Sequence, residues 1–332
     1  MNIAKIALIF FLGGWSSLAA QTTEELMKQE PLAEGNDARF EELSEAYSTM
    51  LQFEGIMAAI SKKFPELAEE VKAAEAEMAA SAVGKGFRGV EVELKRRMGR
   101  EFIAYEKGIR AQIQEFQEEA AKEVDLETAK MGLGTAAAMA KGRVQVDVLR
   151  NVIAYNPEYR KDPAKEFSDG WAAGYSSKMD EQKREVNYLL MYPGSWKPTN
   201  LASKAELMAL WNDAGHGRHR LSFQSINAPD PKYAKMDPVE LAKALMAPEG
   251  TLIESGKGKM AGLECGRVVY DLTVEKDQKI VMSRVITYAV LAKEHFVILS
   301  LMLGSGGELG KEELVKKYGP LLAGMAAKLE IE

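Results

Sequence analysis

Residues Arg267 to Leu303 read RVVYDLTVEKDQKIVMSRVITYAVLAKEHFVILSLML, and this stretch decides the fold. Val268, Tyr270, Leu272 and Val274 alternate with Val269, Asp271, Thr273 and Glu275, the period of a half-buried strand. Lys276–Gln278 reads as a turn into a second run, Ile280–Leu291, and Ala292–Glu294 as a turn into a third, His295–Leu303. The third run is almost wholly apolar, so it is expected to be central, with both faces of its sheet covered. Three successive antiparallel strands form the nucleus of the C-terminal half.

Two further strands are expected upstream. Val186, Tyr188, Leu190 and Tyr192 alternate up to Pro193-Gly194, and Leu221, Phe223 and Ser225 alternate later. Asp237-Pro238-Val239-Glu240 has the order of a helix start, a capping carboxylate followed by proline at the first turn. Leu241, Leu245 and Met246 supply its apolar face. Downstream, Leu314, Val315, Tyr318, Leu321, Leu322, Met325 and Leu329 follow helical spacing, with a kink expected at Gly319-Pro320. Helices on both sides of the meander can cover opposite faces of one sheet.

Before about Arg184 the period is 3.6. Phe40, Leu43, Tyr47, Met50 and Met57 form one helical row, and Leu67, Val71, Ala74 and Met78 a second after Pro65. Phe102, Tyr105, Ile109, Ile113, Phe116 and Ala120 form a third, on a helix whose start near Gly89 is weakened by Gly99 and Gly108. Asp125 is the expected cap of a fourth helix, and Asp162-Pro163 opens one expected to run through Trp171 and Tyr175. The fold class is therefore α+β. A helical bundle or hairpin over 37–180 precedes an antiparallel-sheet α/β/α sandwich over 184–332.

Tyr192-Pro193-Gly194-Ser195-Trp196, closing the first strand, resembles the Tyr-Pro-x-x-Trp opening of PsbP-like domains. The strand His295–Leu303 and the closing helix with Tyr318-Gly319-Pro320 are similar as well. The resemblance covers under half the chain and departs from the family where Lys197–Arg220 is inserted after the tryptophan. It implies an α/β/α sandwich with a binding or assembly role, and it carries no catalytic residues over.

Lys5, the apolar run Ile6–Leu12 and the small residues Ser16–Ala20 have the order of a secretory signal peptide over 1–20, with a flexible segment expected over 21–36. The apolar run is shorter than the ~20 residues of a membrane-spanning helix, and no cysteine follows to take a lipid. An exported, periplasmic or secreted chain with no stable anchor after cleavage is expected. Cys265, the single cysteine, cannot form an internal disulfide and is expected to be a buried thiol. The net charge of −6 belongs to the first 200 residues, and no dense basic face suits nucleic acid. Lys95-Arg96-Arg97 with Arg100 lies among Glu91, Glu93 and Glu101, which makes a mixed solvated face.

Gly84-Lys85-Gly86-Phe87-Arg88-Gly89 fits G-x-G-x-x-G but follows an Ala/Glu-rich helix rather than a strand, so a helix–helix connection is expected. Gly304–Gly307 follows a strand and precedes a helix but lacks the Lys-Ser/Thr ending of a P-loop. Asp213, His216 and His219 offer a carboxylate and two imidazoles within seven residues, the one conceivable metal set. Neighbouring Arg218 and Arg220 oppose a cation, so a polar loop with no metal is the expected reading; His295 is expected to be structural. No G-x-S-x-G elbow is present, and the cysteine has no evident partner base. No catalytic residue and no cofactor are assigned. The sequence points to a non-enzymatic exported protein that binds or assembles a partner, another envelope protein or itself. The competing reading is a small-molecule or metal-binding domain, or a hydrolase, using the His216/His219 loop. A third makes the helical half an oligomerisation stalk.

Overall fold

A computed structural model describes residues 37–143, 147–179, 185–228, 230–276, 279–304 and 309–332, with side chains left aside at 37–38, 115–123, 274–276 and 279–281. The expected signal peptide, the 21–36 segment, Ser305–Gly307 of the glycine-rich turn, and the side chains of Phe116 and Ala120 fall outside what is described. The chain divides into two units, Met1–Pro157 and Glu158–Glu332.

The first unit is a bundle of α1 (Asp37–Lys63), α2 (Ala68–Ala80), α3 (Ala82–Met98), α4 (Phe102–Glu123), α5 (Leu126–Ala140) and α6 (Asp147–Ala154). α1 packs against α2, α3, α4 and α6. Its apolar row is buried as the spacing requires, with Tyr47 5.5 Å from Phe102 and Phe40 6.2 Å from Tyr105 between ring centres. Met50 is only half-buried, and Leu51 beside it fills the core instead. Asp125 caps α5, accepting from the Thr128 N–H at 2.8 Å.

Gly84–Gly89 is not a connection. All three glycines lie inside α3, which Ser81 caps. The physical reason is close approach: a Cβ on Gly86 would sit 2.4 Å from the Val152 carbonyl, and one on Gly89 1.9 Å from that of Tyr155. The glycines let two helix backbones touch, an interior use that outweighs their poor helix propensity. The real break falls at Gly99, whose φ of 56° ends α3.

The second unit begins earlier than the change of period suggests. Asp162 caps the helix Pro163–Ser168 as expected, but Gly170 at φ 88° stops it short of Trp171. The chain then forms β1 (Ala172–Ser176), paired antiparallel with β2 (Tyr188–Pro193). Residues 158–179, grouped by periodicity with the helical half, therefore pack in the sandwich. Trp171 and Tyr175 are spaced like a helix but belong to a turn and an edge strand. β2 lies between β1 and the short β10 (Glu330–Ile331) in a three-stranded sheet of its own.

The main sheet is seven-stranded, in the order β3 (Lys197–Pro198), β4 (Glu206–Trp211), β5 (His219–Asn227), β9 (His295–Gly304), β8 (Lys279–Ala292), β7 (Leu263–Lys276), β6 (Gly250–Met260). The quoted stretch supplies β7, β8 and β9, and the apolar β9 sits centrally between β5 and β8. One face buries Leu221, Phe223, Val269, Ile286, Leu299 and Leu301 against the terminal helix Lys311–Lys328 and β2. The other buries Val268, Tyr270, Val285, Ala289, Phe296 and Ile298 against the helix Pro238–Ala244. This is the α/β/α sandwich, and each fully buried large apolar side chain contributes about 1.5–3 kcal/mol. Asp237 caps Pro238–Ala244 through the Val239 N–H at 2.8 Å. The terminal helix is continuous across Gly319-Pro320. Cys265 is fully buried, and burial pushes its thiol up to about 11.

Candidate functional site

A set of chemically capable groups lies where β4 turns into β5. Trp211 and Arg220 form the last strand pair, and residues 212–218 make the loop. Asn212 organises it: its side-chain oxygen accepts from the His219 N–H at 2.8 Å, and its carbonyl accepts from Gly215 and Gly217. A Cβ on Gly217 would fall 1.8 Å from that side-chain oxygen, so only glycine fits. Asp213, Ala214 and Gly215 follow in left-handed conformation, φ 50°, 54° and 92°. For the two non-glycine residues this costs about 1–2 kcal/mol each. The strained run is tied down by the Ala214 N–H donating to the Ser195 carbonyl.

The loop directs His219 onto the terminal helix. Its ring lies 4.6 Å from that of Tyr318, edge-on, and Trp196 meets Tyr318 from another side at 6.4 Å. Nδ1 of His219 is buried with no hydrogen-bond partner. Burial, with Lys317 and Arg218 nearby, depresses its pKa to about 4 against the pull of Asp213, so the ring is neutral at pH 7. Lys317 is lowered too, by burial first and then by Arg160, against Asp213. Burial and then Asp213 raise Tyr318 beyond the usual tyrosine range.

Behind the loop Glu166 is buried and accepts from the Ser195 N–H at 2.8 Å and from its hydroxyl at 2.7 Å. Burial raises its pKa to about 7, although both hydrogen bonds favour the ionised form. A hydroxyl on a carboxylate is the start of a nucleophile–base pair. Here Ser195 and Glu166 are 4% and 3% exposed, so no substrate reaches them, and the pair works as a clamp from the helix Pro163–Ser168 to the turn after β2.

The structure does not assemble the metal set. His216 is exposed, His219 is packed on Tyr318, and among the described residues no group of three His, Cys, Asp or Glu is placed to hold a metal ion. His295 ends a separate polar hollow of about 200 Å³ lined by Glu185, Val186, Tyr188, Ser225 and Asn227, with its Nδ1 2.8 Å from the Lys293 carbonyl. A second buried carboxylate, Glu206, is met by Arg220 at 2.8 Å, Ser222 at 2.5 Å and the Ala202 N–H at 2.5 Å. Burial opposes its ionisation, but these partners prevail and its pKa is lowered. Glu166 carries no local sequence signal, because Ser195 lies 29 residues away and only the fold joins them, and Arg160 and Lys317 are likewise far apart in sequence.

No known family model and no curated protein matches the sequence. Among solved structures, the chain is similar to the solution structure of cyanobacterial PsbP (CyanoP) from Synechocystis sp. PCC 6803, at 15% identity over 48% of this chain and 92% of that one, with a TM-score of 0.31. It is also similar to LpqN of Mycobacterium tuberculosis, described as involved in cell envelope biogenesis, at 12% identity, 51% and 96% coverage and a TM-score of 0.31. A protein from Bacteroides thetaiotaomicron VPI-5482 is similar at 14% identity, 44% coverage of each chain and a TM-score of 0.25. No ligand, partner or activity is taken from these likenesses.

Proposed function

We propose that this is an exported, non-enzymatic protein of the cell envelope that binds another envelope protein through the free edge of its sandwich. The observation that carries the reading is strand β6. It is 11 residues long, pairs with β7 and with no other strand among the described residues, and is exposed along most of its length, Leu252 to 41% and Ile253 to 51%. From Glu254 to Met260 it holds unbroken register with Val269 to Leu263. Two of its three charges lean onto β7, Glu254 on Arg267 at 2.5 Å and Lys257 on Glu264 at 2.8 Å, while Lys259 is exposed. That leaves outward backbone groups and two apolar side chains for an added strand. The sealed Ser195–Glu166 pair supports a binding rather than a hydrolytic role, and the basic-apolar-small order of residues 1–20 supports export.

A photo-crosslinking residue at Ile253, compared with one at exposed Glu240, tests the reading in the native host. A discrete envelope-protein adduct at 253 that is missing at 240 supports it. An adduct between two copies of this chain replaces the partner with self-association, and no adduct at 253 refutes edge docking.

A further inference from the structure

The inward row of the main sheet turns polar at one end. Along β5, Leu221 and Phe223 lie in the core, and the same face continues as Ser225 and Asn227. Along β9, Leu299 and Val297 lead in the same way to His295. Register joins the two ends, because Asn227 stands opposite His295 and Ser225 opposite Val297. From β2, Tyr188 meets Phe223 edge-on at 5.5 Å between ring centres, and its hydroxyl lies 2.7 Å from that of Ser225. These groups enclose the hollow of about 200 Å³. Its lining runs from buried Val186 and Tyr188, through half-buried Ser225 and His295, to exposed Glu185 and Asn227, so it opens to solvent.

The chemistry of that lining is one-sided. His295 Nδ1 is 2.8 Å from the Lys293 carbonyl, and a carbonyl can only accept, so Nδ1 carries a proton and, in the neutral ring, Nε2 is an acceptor. The turn from β8 to β9 holds the ring in place. Ala292 pairs with His295, and Lys293 and Glu294 between them have left-handed φ of 47° and 61°, a conformation that glycine or asparagine usually supplies. The Ala228 N–H donates to the Glu294 carbonyl at 2.8 Å and ties this turn to the end of β5. Glu185 adds the one carboxylate of the lining, which when ionised accepts only. Glu185 repels an anion, and an apolar ligand would leave the polar lining unpaired. A ligand that donates hydrogen bonds and carries positive charge meets both conditions. We propose that the hollow binds the primary ammonium group of a small organic amine. Glu185 is its counter-ion, and His295 Nε2 and the Asn227 side-chain carbonyl are the other acceptors, matching the three N–H donors of an ammonium. Neither β5 nor β9 borders β6, so the site stands or falls independently of edge docking.

Putrescine and N-acetyl-lysinamide, each titrated into the purified protein with the His295 ring followed by NMR, are the test. Saturable binding of at least one is expected, and butanediol, which has the length of putrescine without its charge, should not bind. Glu185→Gln should weaken binding about tenfold, and because the position is exposed the variant keeps its fold. His295→Phe, which keeps a ring and removes both nitrogens, should weaken it as well. Glu312→Gln, exposed on the terminal helix and outside the hollow, should leave it unchanged. Binding of putrescine alone supports a free amine as the ligand, and binding of N-acetyl-lysinamide supports a lysine side chain of a polypeptide. No saturable shift with either amine overturns the proposal. Equal binding of butanediol, or equal amine affinity in wild type and Glu185→Gln, overturns it too.

Discussion

Replacing Glu166 with glutamine should uncover a rise of stability with pH that the wild type largely masks. The carboxyl is raised from 4.5 to about 7 in the folded chain. Between those values the unfolded chain has released the proton and the folded chain retains it, so stability falls as pH rises through the window. A shift of that size corresponds to roughly 3 kcal/mol, fully present below about pH 4.5 and lost by about pH 7. His219 works in the opposite direction. Its pKa drops from 6.5 to about 4 on folding, so the unfolded chain takes up a proton first and stability rises with pH across that window. In the wild type the two slopes overlap and largely cancel. Glutamine in place of Glu166 cannot titrate, yet its carbonyl can accept from the Ser195 N–H while its amide donates to the hydroxyl. The variant should match the wild type within about 1 kcal/mol near pH 4.5 and exceed it by about 2–3 kcal/mol near pH 8. Urea melts read this cleanly. Trp171, Trp196 and Trp211, the three tryptophans after Trp15, all belong to the C-terminal unit, so their fluorescence follows its unfolding. A wild-type-minus-variant difference that is flat with pH, or that grows in the wild type's favour as pH rises, would refute the assignment of a protonated buried carboxyl.

Three further outcomes are expected. Gly86→Ala and Gly89→Ala should each destabilise the helical unit by more than about 2 kcal/mol in circular-dichroism melts, whereas Gly108→Ala, with nothing within 4 Å of the added methyl, should stabilise it by up to about 1 kcal/mol. Trp196→Ala should cost about 3–5 kcal/mol, since the indole is 3% exposed against Tyr318; a cost below about 0.5 kcal/mol would mean it is dispensable to the core. A fragment of residues 158–332 should unfold cooperatively, while one starting at 184 lacks β1 and Glu166 and should melt earlier or aggregate; equal stability would return the boundary to the change of period.

Elements whose side chains decide their own environment were legible in sequence. β7, β8, β9 and the terminal helix each carry enough apolar residues at one period to fix type, partner face and, for β9, central position. β6 was not legible. Its sequence GTLIESGKGKM is exposed, glycine-rich and charged, so nothing on its own surface reports the strand it pairs with. β4 was obscured in a different way. Glu206 opens the otherwise apolar strand, a buried charge tolerated there because Arg220 and Ser222 on the neighbouring strand meet its carboxylate. The glycine triplet of α3 looked like punctuation because contact with Val152 and Tyr155, some 65 residues on, is invisible locally. The site was half legible. Asp213 and His219 stand close in sequence, but Glu166, Arg160 and Lys317 reach them only through the fold.

The proposed binding role rests on β6 acting as an unfinished sheet edge, and hydrogen exchange of its backbone amides tests that most directly. In the isolated protein, peptides covering Gly250–Met260 should exchange faster than those of the central strand His295–Gly304, because among the described residues β6 has a neighbouring strand on one side only. Adding the host's envelope fraction should slow exchange in 250–260 and leave 295–304 unchanged. Unaltered exchange at β6, or protection that appears elsewhere on the chain while β6 stays fast, would contradict the account.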